Sequence, residues 1–512
     1  MTSPAIEIES LLGPAADPVA AGTTMRQIAI ANATEQATEW FQALWESKTE
    51  LEQTDPAILG GLFRAIHTSI LNSEDPAATI RPINPTLVFG ILERLPESTP
   101  NRHLLMHLMT LARSGDHLHI LTQMLVKFPP AGWMSVGQVL SPLLQYNDWE
   151  VSDFFPDVLE ALAHPSVASP VLDVANFLTR TGRVETHPAA SRIENLLRLL
   201  DAVVQKLERF ESNPTEFGND VETIQSVLGE AVALAVSLCD ALGLIGDDRA
   251  KGKLHQAMQI KHRRVQSEAA GALTRLGDEA GQEHLLGLVA EPAARRRVLQ
   301  YAEELDIADA IDEEYATPQA LAEADVAVWL CQPQNMGVPP TEISVIDSKR
   351  MLWPSYSTPI DCFLVRFEFD FGDTQYSNVA IAGPTVHAFA ADLAELPSND
   401  IYAAYAGWHA EHKDIFAITE DHWNAAQKRM VSPLVEYLRR EGYESIQPRI
   451  LGFLLDEHAI VCEATREDRE CVVVTDGLET IEQTTVGRPR PLGTQEMWYI
   501  YLGRKMLRTF NG

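Results

Sequence analysis

From about Met25 to about Gln300, apolar side chains recur three and four positions apart; from about Thr341 they alternate every second position. The first spacing gathers them on one face of an α-helix and the second on one face of a strand. The chain therefore predicts a long helical part followed by a smaller part of mixed helices and strands. Within 25–210, Leu104, Leu108 and Leu111 mark one helix and Leu118, Leu121 and Leu125 the next, parted at Ser114-Gly115-Asp116. Further breaks fall at Pro96-Glu97-Ser98, Pro129-Pro130, His164-Pro165 and Gly182-Arg183, too unevenly for one fixed period, so this stretch reads as degenerate helical repeats. Ser191 to Phe210 predicts a long amphipathic helix, with a polar loop from Glu211 to Asp220. Residues 1–24, rich in Ala, Pro, Thr and Gly and without period, predict a flexible tail.

Between Val227 and Gln300 the pattern repeats itself. Ala241-Leu242-Gly243-Leu244-Ile245-Gly246-Asp247-Asp248 is followed by Ala272-Leu273-Thr274-Arg275-Leu276-Gly277-Asp278-Glu279, and the two glycines are 31 positions apart. A period of that size marks stacked helical hairpins. Each matched residue has a local role: Gly246 and Gly277 end a helix in the left-handed conformation, and Asp247 and Asp278 cap the next. Val227, Ala231, Leu234, Leu238, Ala241 and Ile245 predict the buried stripe of the first helix, and Leu254 and Met258 that of its partner. In the second copy Val265, Ala269, Leu273 and Leu276 are followed by Leu285 and Val289, and a further helix is predicted from Pro292.

These motifs resemble the HEAT-like repeats of phycobilisome lyases, with their Ala-Leu-x-x-Leu-Gly-Asp corner and Val-Arg-x-Glu-Ala-Ala helix. Val265-Gln266-Ser267-Glu268-Ala269-Ala270 matches the latter except at Gln266. The resemblance implies a HEAT-like α-solenoid, with 211–325 as HEAT-like repeats with an acidic end; with the change of period near Thr341 the expected fold is mainly α, a HEAT-like α-solenoid followed by a smaller α+β domain. It implies a chromophore lyase only weakly, because such repeats serve many roles.

An acidic run from Glu303 to Asp325 contains no base, and none follows until Lys349. It predicts a solvated helix face and linker, or an ionic partner for the basic stretch before it. Pro333, Pro339 and Pro340 then mark a boundary, and 341–512 reads as an α+β domain. Phe363, Val365, Phe367, Phe369 and Phe371 alternate with Leu364, Arg366, Glu368 and Asp370 as in a half-buried strand, paired through a turn at Gly372-Asp373 with Tyr376 to Ile381. Helices are predicted at Val386 to Leu396, Asp400 to His412 and His422 to Glu441, the last broken or kinked at Pro433. Two more strands, Ile450 to Ala464 and Cys471 to Thr475, precede a closing amphipathic segment from Gln495 to Leu507.

Charge narrows the partners. The 72 acidic against 40 basic residues give −32, which disfavours nucleic acid and anionic lipid, since both bind through cationic side chains. One basic island between Lys251 and Gln300 goes the other way, and Lys261, Arg263, Arg264, Arg295, Arg296 and Arg297 are its candidate partner-binding residues. Five cysteines, an odd number in 512 residues, form no disulfide framework and suit a reducing compartment. With neither a signal-like N-terminus nor an uninterrupted apolar span, the expectation is a cytoplasmic protein that spans no membrane.

Catalytic signatures are few. His409 and His412, at helical spacing, are weak metal-ligand candidates, with His422 and His387 as possible neighbours. Cys462 and Cys471 fall nearly opposite in a predicted hairpin and read either as buried apolar residues or as a redox or metal pair with His458. Lys251-Gly252-Lys253 lacks the spacing and the hydroxyl of a phosphate loop, and no cofactor motif is found. The reading that follows is a protein-interaction scaffold or adaptor with a protein partner and no cofactor. The alternative is an enzyme, a lyase or metal-dependent hydrolase, with its site in the C-terminal domain; a non-enzymatic role is favoured.

Overall fold

A computed structural model describes Ile8 and residues 11–13, 17–332, 334–410, 415–417, 423–454, 457–487 and 489–512. The chain divides into two compact units, Met1–Leu285 and Leu286–Gly512.

The first unit is helical: α1 (Pro18–Ala29), α2 (Ala33–Glu46), α3 (Lys48–Gln53), α4 (Pro56–Leu71), α5 (Pro76–Ile80), α6 (Pro85–Arg94), α7 (His103–Ala112), α8 (Gly115–Lys127), α9 (Trp133–Gln145), α10 (Pro165–Arg180), α11 (Ile193–Ser212), α12 (Val221–Ile245), α13 (Lys251–Met258) and α14 (Arg263–Arg275), with α15 (Glu279–Gly287) at its end. Local chemistry sets the starts of these helices. Asp17, Asp55, Asp75 and Asn84 each accept a first-turn amide ahead of a proline that needs no such bond. The repeat corners are as the sequence predicts. Gly246 and Gly277 have φ of 77° and 72°, and Asp247 and Asp278 accept the amides of Arg249 and Gly281, both at 2.9 Å. Packing is ordered: α1, α4, α7, α9, α10, α12 and α14 each lie against the next, as do α2, α6 and α8, while α11 lies against α13.

Two expectations shift. Residues 1–7, 9–10 and 14–16 of the expected tail lie outside the described residues, but Ile8 and Leu11 are buried and α1 already begins at Pro18. The expected loop from Glu211 contains a helical turn, Pro214–Phe217, whose Phe217 ring stacks on Phe210 with centroids 4.1 Å apart. That tertiary contact has no periodic signal. By length and composition α12 is the one helix among the described residues able to cross a membrane, with mean hydropathy 1.8. It is flanked by α10, α11 and α14 and buries Ser237 and Asp240, as a core helix does.

The second unit starts with α16 (Pro292–Glu304) and α17 (Pro318–Leu330). Two antiparallel sheets follow, one of β1 (Glu342–Met351), β2 (Ile360–Asp370), β3 (Gln375–Ala382) and β4 (His387–Ala388), the other of β5 (Ile415–Ala417), β6 (Glu444–Leu454), β7 (Glu457–Arg466), β8 (Arg469–Thr475) and β9 (Thr480–Thr484), each in sequential order. Its remaining helices are α18 (Ser398–His409), α19 (Ala425–Arg440) and α20 (Thr494–Asn511). The unit begins well before the change of pattern at Thr341. Ala322, Val326 and Leu330 of α17 are in one core with Phe363, Val365, Phe367 and Phe369 of β2. Cys362 and Leu364, on the other face of β2, are buried with α18 and α20, so this strand is covered on both sides at its start.

Three elements differ from expectation. Val386 to Leu396 is no helix, because buried Asn378 takes its backbone: Nδ2 donates to the carbonyls of Phe389 at 2.9 Å and Ala391 at 3.1 Å, and Oδ1 accepts from the amide of Leu393 at 3.1 Å. Ile450 to Ala464 is not one strand but parts of β6 and β7, with Leu454 opposite Glu457. Finally, of the break or kink expected at Pro433 the break does not occur, since α19 runs through that residue.

Candidate functional site

Polar residues on α10, α12 and α14 build the most connected side-chain cluster of the helical unit. Ser169, Asp173, Asn176 and Arg180 share one face of α10, Ser237 and Asp240 one face of α12, and Arg264 and Glu268 one face of α14, all at spacings of three or four. Ser237 Oγ donates to Asp173 Oδ1 at 2.6 Å, which leaves Ser169 Oγ to donate to Ser237 Oγ at 2.9 Å. Asn176 Nδ2 donates to the Ser237 carbonyl at 3.1 Å, and its Oδ1 accepts from His187 Nε2 at 2.9 Å. Because His187 Nδ1 accepts the amide of Ala189, its ring carries the proton on Nε2; burial holds its pKa down to about 4. Arg180 grips Asp240 with both Nη atoms at 2.5 Å, the planar match of guanidinium and carboxylate.

Asp173, like Arg264, is exposed, whereas Ser169, Asn176, Ser237, Asp240 and Glu268 are buried. The recess of Asp173 between helices partly withholds water from the carboxyl, and Asp240 and Glu268 add negative charge; these raise its pKa, against the Ser237 hydrogen bond and the Arg264 cation. The open side of the residue limits that rise. Sequence reasoning found the apolar stripe of α12 but missed this seam. Its signal was present as Ser237 and Asp240, polar residues three apart in the otherwise apolar stretch from Ala231 to Ile245.

The six candidate cations fall on two units. Lys261 and Arg264 are exposed at the start of α14, and Arg263 donates to Gln266 Oε1 at 2.8 Å. In the second unit Arg295 is not at the surface. It is 4% exposed, donates to the carbonyls of Val289 at 3.0 Å and Ala320 at 2.7 Å, and pairs with Glu323 at 3.3 Å. Arg296 forms a two-pronged pair with Asp325, and Arg297 lies 3.8 Å from Glu304 and over the Tyr301 ring. Acids of the run from Glu303 to Asp325 thus engage all three arginines and tie α16 to α17.

The other candidates separate as well. His409 ends α18, and its Nδ1 accepts the indole N–H of Trp353 at 2.9 Å, so the neutral ring carries its proton on Nε2. His412 and His422 lie outside the described residues. His387 stacks on Trp408 with centroids 3.9 Å apart and planes 3° from parallel, and burial lowers its pKa to about 4. Among the described residues, no three His, Cys, Asp or Glu side chains come together to hold a metal. Cys471 pairs with Ala464 and Cys462 with Val473, two residues from the expected facing positions. Both thiols are free, and burial pushes them up to about 11 and about 12, so neither is a ready nucleophile.

Compared with protein-family models, characterised proteins and solved structures, the chain matches none.

Proposed function

We propose that this chain is a protein-interaction scaffold: its helical unit is a solenoid of HEAT-like repeats, and its partner docks where Asp173, Lys261 and Arg264 are exposed. The observation that supports this reading is the seam across α10, α12 and α14. There, hydrogen bonds fix α10 against α12, with α14 packed beside α12, while charges of both signs stay open to solvent. Such a surface is rigid before binding, so little conformational entropy is lost on association. Its mixed charges orient a protein partner more than they add raw affinity. The free thiols suit a reducing, cytoplasmic setting.

Affinity capture from native lysate, followed by cross-linking, tests the proposal. A specific partner should be retained by the native chain and by the Arg296→Glu control, and lost at least tenfold with Asp173→Arg or Arg264→Glu. Equal capture by both reversed variants overturns the docking surface. Turnover of a small molecule by purified protein that captures no partner, abolished in His409→Ala, would replace the scaffold with an enzyme of the second unit. The Trp353 hydrogen bond that orients His409 is the observation favouring that alternative.

A further inference from the structure

The rings of His67 on α4 and His107 on α7 are each 6% exposed, with centroids 5.0 Å apart and His67 Nε2 lying 2.8 Å from His107 Nδ1. This is a direct hydrogen bond between side chains of helices far apart in sequence. Two neutral imidazoles satisfy it with one N–H between the facing nitrogens, whichever ring supplies it. A first added proton goes to the outer nitrogen of the donating ring, and the bond survives as a charge-assisted one. A second proton has only the accepting nitrogen to occupy. Two N–H groups on two cations then face each other at a distance where neither can accept.

We propose that this histidine pair is an acid-released latch between α4 and α7, closed while at most one proton is added and opened by the second. The one titratable group acting on both rings is His103, a turn earlier on α7, whose Nε2 lies 3.2 Å from Gln138 Oε1 of α9. Among the described residues, α1, α2, α5, α6, α8 and α9, the other helices packed against α4 and α7, place no carboxylate or cation where it acts on either ring. Nothing therefore offsets the positive charge that acid brings. Burial holds both rings down, to about 4 from 6.5, and His103 is lowered by burial too. Because the folded values lie below the unfolded one, the unfolded chain binds more protons between them. The contact is thus at full strength above about pH 6.5 and is lost as pH falls toward about 4, the two rings titrating as a pair.

Hydrogen exchange of the full chain, read by mass spectrometry between pH 7 and pH 4 and corrected for intrinsic rates, tests the latch. Peptides covering α4 and α7 should lose at least tenfold in protection over that range and recover it on return to pH 7. In the double variant His67→Leu with His107→Leu the loss should move at least one pH unit lower, while the acid response of α12 and α14 stays as in the native chain. Retained protection at pH 4, or the same acid midpoint in the variant, overturns the proposal. If the double variant is unfolded at pH 7, the imidazole 15N resonances of the native chain decide. Two protonation steps at one linked pair support the latch, and independent titration near the ordinary value overturns it.

Discussion

In the first unit α10 and α12 are joined by side-chain hydrogen bonds, whereas in the second unit α18 and α20 lie backbone against backbone. The seam of Ser169, Ser237, Asn176, Arg180 and Asp240 spans α10 and α12, and each bond is made by a residue on a regular helical face. In the α+β unit α18 and α20 cross so closely that a Cβ on Gly503 would sit 1.8 Å from the Ala403 carbonyl oxygen, and one on Gly407 2.0 Å from that of Tyr499. Gly452 likewise leaves room for the Trp498 ring, which would lie 2.1 Å from an added Cβ. The difference teaches where each unit is vulnerable. A side-chain seam can lose one bond and stay in place, but a backbone crossing has no atom that can yield.

The comparison breaks most sharply at the crossing. Gly503→Ala should destabilise the second unit by about 3 kcal/mol, because the obstruction is backbone and the helices must separate. The check is a denaturation curve in which the transition of the second unit moves and that of the helical unit does not. Next comes Arg180→Ala, which strands the buried Asp240 carboxylate and should cost the helical unit about 2–3 kcal/mol. Pairing it with Asp240→Leu should recover most of that, as chemical denaturation of the single and double variants would show. The smallest effect is expected at the repeat corners. Gly246→Ala and Gly277→Ala meet no atom within 4 Å and strain only the left-handed backbone, so each should cost about 1 kcal/mol, and by nearly equal amounts. Unequal costs would show that the matched corners are not equivalent.

Much of the helical unit was legible because its signals are local. A glycine that ends a helix, an aspartate that caps the next and an apolar stripe at helical spacing all act within a few residues. The seam escaped notice because Ser237 is partnered by Ser169, 68 positions away, and nothing near either residue specifies the other. In the second unit, Asn378 shows how a single buried side chain overrules propensity. Its amide binds the backbone of Phe389, Ala391 and Leu393, and a segment with the right period for a helix is held as a short strand, bends and a turn instead. Among the candidate cations the same limit applies. Composition located the island, but only packing separates exposed Arg264 from Arg295, whose donors are spent on carbonyls of its own unit.

By itself the sequence determined what short-range physics can enforce: the helices, their caps and corners, the β2–β3 hairpin and the acidic charge. Only the tertiary structure decided which polar groups meet. The Ser237–Asp173 seam, the His67–His107 bond, the burial of Arg295 and the crossing at Gly503 each join residues brought together by packing. Burial then fixes their chemistry, since a hydrogen bond or a proton weighs far more where water is withheld.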